Sequence, residues 1–256
     1  MTKKKIRCLV SMLFCVLPLL ACSVTRQAVV ADNFSSGTRL PSGFGALAED
    51  DIFKSLAKID WTTPDDYYQV KAALILKRPA YLRLELLPLI GTPDFFLTAK
   101  PGKMTVYIPS RKEAYGGRPT HANLKRFLPW PMDIGEIIMV LTGSFPAGRE
   151  TISQEGDLSR RDIKDPSGYS RMIWVRGKNN HLYKMIRKDE LGTELYKVQY
   201  FYDNDQSVFP KKIVISSFPG TTTLAIEYAD IQIEKATDLS VFDLALPDDI
   251  EEIFLE

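Results

Sequence analysis

The sequence predicts a mainly β protein: a single antiparallel, strongly curved, half-open β-barrel with a helical lid and an N-terminal helix. Three observations support this prediction. About ten segments alternate apolar and polar residues with the period of two that half-buried strands show. One helical stretch interrupts them near the middle of the 256-residue chain. No second change of composition follows residue 42, so we predict one domain over residues 43–256.

The first 21 residues have the pattern of a secretion signal. Four basic residues lie between positions 3 and 7, and an apolar run follows from residue 8 to residue 20. This run is shorter than the ~20 residues that a membrane-spanning helix needs. Residues 19–22 (LLAC) resemble the bacterial lipobox, in which the cysteine is lipidated and the chain is cut before it. We therefore predict a lipoprotein signal peptide over residues 1–21, with a covalent diacylglycerol and an N-acyl chain on Cys22. The alternative is an ordinary signal peptide cut after Ala31.

Two further elements are predicted before the strands begin. Residues 22–42 mix small, polar and apolar residues, which predicts a flexible tether after the lipidated cysteine. Four apolar residues between positions 47 and 56 then recur at a spacing of three to five. This spacing predicts an amphipathic helix that ends before Asp60.

Alternation of apolar and polar residues predicts most of the remaining elements. The predicted strands cover residues 68–76, 82–86, 94–100, 103–109, 112–117, 169–176, 181–188, 194–202, 211–217 and 221–234. Residues 121–128 and 133–141 predict two short helices, with Asp133 as the N-cap of the second and Gly143 as its stop. The second helix is apolar around most of its circumference, so it must be covered on several sides. We expect the sheet to curl and the helices to cover its concave face.

Composition excludes several functional classes. The three cysteines lie at positions 8, 15 and 22, so the folded part has no disulfide, no thiol nucleophile and no cysteine metal ligand. Removing residues 1–21 takes four basic and no acidic side chains from the 33 basic and 32 acidic ones, leaving a net charge of −3. This balance is not that of a nucleic-acid-binding protein. His121 and His181 are far apart and have no neighbouring histidine or cysteine at metal-ligand spacing, and no catalytic motif is present, so we predict neither a metal site nor an enzyme.

The predicted concave face is apolar. A sheet of this width can enclose a cavity, and leucine, valine, phenylalanine and methionine side chains would favour an apolar ligand. The alternative is that the helices fill the space completely and leave an ordinary core, because apolar strand faces are usually core. The pattern by itself favours that alternative.

Several short motifs resemble those of one family. Residues 88–92 (PLIGT), 101–102 (PG), 129–132 (PWPM) and 141–146 (LTGSFP) follow one another in the order and approximate spacing of the LolB family. The resemblance covers the chain from residue 72 to about residue 146, and the lipobox agrees with it. Members of this family are outer-membrane receptors that take lipoproteins from the periplasmic carrier LolA and insert them into the membrane.

The resemblance implies a half-open barrel with a helical lid and an apolar cavity for acyl chains. It also implies a protruding loop for membrane insertion, whose exposed apolar residue corresponds to Leu89 or Ile90. The residues that would line the acyl cavity are Leu74, Leu84, Leu86, Phe95, Leu97, Val106, Trp130, Ile137 and Leu141. No cofactor is expected beyond the covalent lipid on Cys22.

The function implied is that of a lipid-anchored protein on the periplasmic face of the outer membrane. It would accept acylated lipoproteins from a LolA-like carrier and insert them into that membrane. Ser23, rather than aspartate, follows the lipidated cysteine, which agrees with export to the outer membrane. The alternatives are a structural or interaction lipoprotein of an envelope complex, and a carrier of another amphiphile such as a glycolipid.

Overall fold

The computed structural model describes residues 47–88, 91–130, 132–145, 150–165, 168–176, 181–218 and 220–256. In these residues fifteen strands form one sheet. The strands are β1 Asp51–Thr62, β2 Tyr67–Lys77, β3 Tyr81–Leu87, β4 Phe95–Lys100, β5 Lys103–Ile108, β6 Glu113–Gly117, β7 Glu150–Glu155, β8 Leu158–Lys164, β9 Ser170–Arg176, β10 His181–Lys188, β11 Glu194–Phe201, β12 Lys212–Ser217, β13 Thr223–Tyr228, β14 Gln232–Lys235 and β15 Glu252–Leu255. The helices are α1 His121–Leu124 and α2 Ile134–Thr142, with 3-10 turns at Pro109–Arg111 and Ser240–Phe242.

The sheet consists of two meanders that meet in its middle. Its strand order is β15-β6-β5-β4-β3-β2-β1-β13-β12-β11-β10-β9-β8-β7, and β14 also pairs with β1. All these pairs are antiparallel except β15 with β6, which is parallel. The chain between β6 and β7 joins regions near opposite edges of the sheet, so the segment that contains α1 and α2 crosses one face.

The sheet curves around α2. The Tyr228 hydroxyl on β13 donates a hydrogen bond of 2.7 Å to the carbonyl of Leu141 on α2. On the far meander, Arg171 of β9 reaches Glu136 of the same helix at 3.1 Å. Helix α2 also contacts β3 on the first meander. Because strands from both meanders contact one short helix, its side of the sheet is concave.

The predicted N-terminal helix is wrong, since residues 51–62 form strand β1. Burial alternates along this strand: Phe53, Ser55, Ala57 and Ile59 are buried, whereas Leu56 is 50% exposed. Because Ser55 is polar, the apolar residues of the sequence do not show this period of two. Its hydroxyl is satisfied because it donates to the carbonyl of Asp230, which offsets the cost of burying a polar group.

Other predicted boundaries also change. Strands β7, β8 and β15 were not predicted, because charged residues occupy positions on both faces of β8 and most of β7 is exposed. The predicted strand 221–234 is interrupted between Tyr228 and Gln232, which pair with Ala57 and Lys54 of β1. Between these two pairs the chain advances four residues from Tyr228 to Gln232, whereas β1 advances only three, as in a β-bulge. The first predicted helix, 121–128, ends at Leu124.

The C-terminal segment crosses the outer face of the first meander. Phe242 is fully buried there, with its ring 5.3 Å from that of Tyr81. The Arg83 guanidinium donates to the carbonyls of Val241 and Asp243 at 2.8 and 3.2 Å. The segment then adds β15 to the edge of the sheet beside β6. In the described residues, neither helix is long and apolar enough to cross a membrane.

Strand β15 depends on a glycine in β6. A Cβ atom at Gly117 would lie 2.7 Å from the Leu255 carbonyl oxygen and 2.9 Å from the Leu255 Cβ. We expect Gly117→Val to lower the free energy of unfolding by about 1–3 kcal/mol, because backbone must move to relieve the overlap. A urea melt measures this. In a chain that lacks residues 252–256, Gly117→Val should change the free energy of unfolding little, because Leu255 is absent. An equal loss of stability in both chains would show that the overlap with Leu255 is not the cause.

Candidate functional site

An apolar cavity of about 350 Å³ lies between the concave face of the sheet and the segment 127–141. Its lining residues are Ile59, Trp61, Tyr68, Val70, Leu74, Leu82, Leu84, Leu86, Phe95, Phe127, Leu128, Pro129, Trp130, Met132, Ile137, Val140, Leu141, Ile215, Leu224 and Ile226. None of these side chains is charged, and their only polar groups are the Tyr68 phenol and the two indole N–H groups. Its volume lies in the range of small-molecule sites.

Strand pairing in the middle of the sheet builds one wall of the cavity. Leu74 of β2 faces Leu84 of β3, and Trp61 of β1 faces Tyr68 of β2. Trp61 also faces Leu224 of β13, so the wall continues across the junction of the two meanders. Because successive side chains of a strand point to opposite faces, alternate residues of each strand reach the cavity.

Helix α2 builds the opposite wall. Ile137, Val140 and Leu141 have the i, i+3, i+4 spacing that places side chains on one helix face. The helix begins at the Asp133 N-cap, whose carboxylate accepts a hydrogen bond of 2.7 Å from the Glu136 backbone N–H. It ends at Gly143, which has a φ of 65°. The predicted cap and stop are therefore confirmed.

The cavity is open at one end and closed at the other. Trp61 is 37% exposed and Tyr68 51% exposed, with ring centroids 5.7 Å apart, so these two aromatic residues form part of the mouth. Leu74 and Leu82, farther along β2 and β3, are only 3% and 1% exposed and lie at the closed end. A ligand would therefore enter beside the β1–β2 turn.

A buried ionic network holds α2 against the second meander. The Glu136 carboxylate lies 3.1 Å from Arg171 Nη2 and 3.4 Å from Arg187 Nε. Asp165 lies 3.0 Å from Arg187 Nη1 and 3.5 Å from Arg171 Nη1, so two carboxylates balance two guanidinium groups. Burial, together with the negative charge of Glu136, raises the pKa of the nearby Tyr196 hydroxyl well above its usual value.

A second contact fixes the C-terminal end of α2. Burial raises the pKa of the Tyr228 phenol, so the hydroxyl that donates to the Leu141 carbonyl stays protonated. A Cβ atom at Gly143 would lie 2.9 Å from the Tyr202 hydroxyl, so only glycine fits where the helix ends. Both ends of the cavity wall are thus held by the sheet.

One trio of potential metal ligands occurs among the described residues. Atoms of His121, Asp133 and Glu136 lie within 4.8 Å of one another. Asp133 caps α2, and Glu136 is paired with two arginines. Both carboxylates thus have structural partners, and their arrangement does not favour a metal ion.

The structure brings seven of the nine predicted cavity residues together at this site. They are Leu74, Leu84, Leu86, Phe95, Trp130, Ile137 and Leu141. Cys22, Leu89 and Ile90 lie outside the described residues.

The placement of Leu97 and Val106 in the cavity lining is wrong. Both side chains are fully buried in the core, on a cross-strand row that continues from Leu84 through Leu97 and Val106 to Tyr115. The ring of Phe127 lies 5.2 Å from that of Tyr115, so the helical segment covers the far end of this row. The cavity therefore reaches β4 only at Phe95 and does not extend over Leu97 or Val106.

Sequence reasoning missed the contribution of the second meander. Ile215, Leu224 and Ile226 line the cavity, although the alternation of β13 is evident in the sequence. Only the pairing of β1 with β13 places these residues beside Trp61 and Ile59.

Comparison with known proteins identifies the fold. No family model matches the chain, and no curated protein matches its sequence. A Vibrio parahaemolyticus domain described as outer membrane lipoprotein-sorting has a TM-score of 0.57 and 10% identity, over 77% of this chain and 90% of that one. A LolA superfamily protein from Nitrosomonas europaea gives 0.55 and 18%, over 77% and 92%. A DUF1329 family protein from Desulfovibrio piger gives 0.53 and 12%, over 77% and 90%. The chain therefore has the LolA-like fold.

Proposed function

We propose that this protein is a LolB-like lipoprotein that binds acyl chains in its apolar cavity and inserts lipoproteins into the outer membrane. The observation that carries the proposal is a cavity of about 350 Å³ with no charged side chain in its lining and an opening beside two aromatic residues. The likeness to lipoprotein-sorting and LolA superfamily structures supports it.

The mechanism proposed is exchange without covalent chemistry. Acyl chains would leave the apolar cavity of a LolA-like carrier for this one, and then enter the bilayer. Because each methylene passes from one apolar environment to another, the free-energy change per methylene is near zero, and small differences in affinity set the direction.

The proposed anchor is the lipid on Cys22, with the chain cut after residue 21. Each buried methylene contributes about 0.8 kcal/mol to membrane binding, so two or three acyl chains hold the protein firmly. Labelling with a radioactive fatty acid tests this proposal, because Cys22→Ser should abolish incorporation. Fractionation that finds the protein only in the inner membrane would contradict the outer-membrane assignment.

Titration with a fluorescent fatty acid tests the binding function directly. We expect saturable binding by the purified protein without its signal peptide. The second candidate function, an interaction lipoprotein of an envelope complex, predicts no saturable binding. The 80% exposed Phe254 on edge strand β15 favours that candidate, since it could contact a partner protein. Mass spectrometry of lipids retained on the protein separates acylated lipoproteins from a glycolipid.

The proposed insertion loop gives a separate prediction. Replacing Leu89 and Ile90 together with glutamate should stop delivery of a lipoprotein to liposomes, because two charges resist entry into the acyl boundary. Fatty-acid binding should persist, and the thermal melt should change little, as for other exposed substitutions. A large fall in melting temperature, or unimpaired delivery, would reject these residues as the insertion loop.

A further inference from the structure

We infer that the cavity takes one linear alkyl chain at a time, with room for about a dozen methylenes, and leaves the headgroup outside. This inference rests on the proposed acyl-binding function and adds the class of ligand. It follows from the volume, the length and the polarity of the cavity.

The volume sets the number of methylenes. A methylene group occupies roughly the 30 Å³ that a water molecule takes up in the liquid. The cavity of about 350 Å³ therefore accommodates about twelve of them. A ligand with three acyl chains of this length needs about three times that space.

The shape of the cavity excludes a second chain lying beside the first. From Tyr68 at the mouth to Leu74 at the closed end the wall follows β2 for six residues, which is about 20 Å at the rise of a strand. The hydrocarbon of one membrane leaflet is about 15 Å deep, so a chain fits lengthwise. Dividing the volume by this length gives a cross-section of about 18 Å². A single chain with neighbours at ~4 Å already takes about 16 Å².

The polarity of the cavity determines which end of the ligand enters. Burying a carboxylate or phosphate without a partner is costly, and none of the lining residues carries a charge to pair with it. Trp61 and Tyr68 at the mouth are the residue types that prefer a boundary between apolar and wet surroundings. The alkyl end therefore enters first, and the headgroup stays beside these two rings.

This arrangement has a consequence for ligands with several chains. A diacylated or triacylated molecule would place one chain in the cavity while its other chains stay in the membrane or in the carrier. Its affinity for this protein should then exceed that of a ligand with one chain of the same length only by the number of equivalent chains, about twofold or threefold.

A series of saturated fatty acids from eight to eighteen carbons, below their micelle concentrations, tests the inference. The Kd, measured by displacement of a fluorescent fatty acid, should fall about fourfold per methylene up to about twelve methylenes and then stay constant. Native mass spectrometry of the unsubstituted protein should detect one bound chain. A lipopeptide with three acyl chains should bind no more than about threefold more tightly than its single-chain form, the factor expected when any one of three equivalent chains can enter.

Two variants locate the closed end. Leu74→Ala should move the plateau to chains two or three methylenes longer, since it removes three carbon atoms from that end. Ile173→Ala, at a fully buried position of β9 that is not in the lining, is the matched control and should leave the plateau unchanged. A Kd that keeps falling to eighteen carbons, or two bound chains, would overturn the inference. The absence of binding for every chain length would instead reject the proposed function.

Discussion

Replacing Glu136 with alanine should lower the free energy of unfolding by about 3–5 kcal/mol, because it leaves two buried guanidinium groups beside a single carboxylate. Arg171 and Arg187 are both more than nine-tenths buried, so bulk water reaches neither guanidinium readily. A chemical denaturation curve measures the change.

A matched control separates this effect from the loss of any ion pair. Glu234 pairs with the Lys54 ammonium across β1 and β14, and both side chains are exposed. Glu234→Ala should therefore cost less than about 1 kcal/mol. If Glu136→Ala were equally mild, the network would not be what holds α2 on the sheet.

Replacing Val70 with tryptophan should weaken fatty-acid binding at least a hundredfold. Val70 lines the cavity between the mouth and the closed end, and it is only partly buried. The indole adds seven non-hydrogen atoms to the side chain, which is more than half of the dozen methylenes that we expect the cavity to hold. At about fourfold per lost methylene, the affinity should fall by two orders of magnitude or more.

The neighbouring residue provides the control. Lys71 lies on the opposite face of β2 and is exposed, so Lys71→Trp should leave binding unchanged. Thermal melts of both variants should stay close to that of the unsubstituted protein. Strong binding by Val70→Trp would show that acyl chains bind elsewhere on the protein.

Much of the first meander could be predicted from the sequence. Strands β2 and β3 alternate leucine and other apolar residues with mostly polar or charged ones, and this period of two identifies both the strand and its buried face. It places Leu74, Leu84 and Leu86 on the inner face of the sheet, whereas the cavity itself is what the family resemblance implies. Strand β1 could not be predicted in this way, because its buried Ser55 breaks the apolar pattern. The hydroxyl of Ser55 donates a hydrogen bond to the Asp230 carbonyl, 175 positions away.

The remaining features depend on tertiary contacts that no local pattern reveals. Glu136 lies in an otherwise apolar helix, and its arginine partners belong to strands 35 and 51 positions later. The contribution of β12 and β13 to the cavity requires knowledge that β1 pairs with β13. The alternation of β5 predicts which face Val106 belongs to, but not how far the helical segment covers that face.

The junction of β1 with β13 has a consequence for how this protein folds. The first strand of the sheet completes its pairing only when residues 223–228 are present, more than 160 positions later. Contacts at such separation slow folding, and until they form β1 presents a bare edge that favours aggregation. The sheet wall of the cavity also continues across this junction, from Trp61 of β1 to Leu224 of β13. A half-folded chain therefore has no ligand site, and the onset of fatty-acid binding during refolding would report completion of the whole sheet.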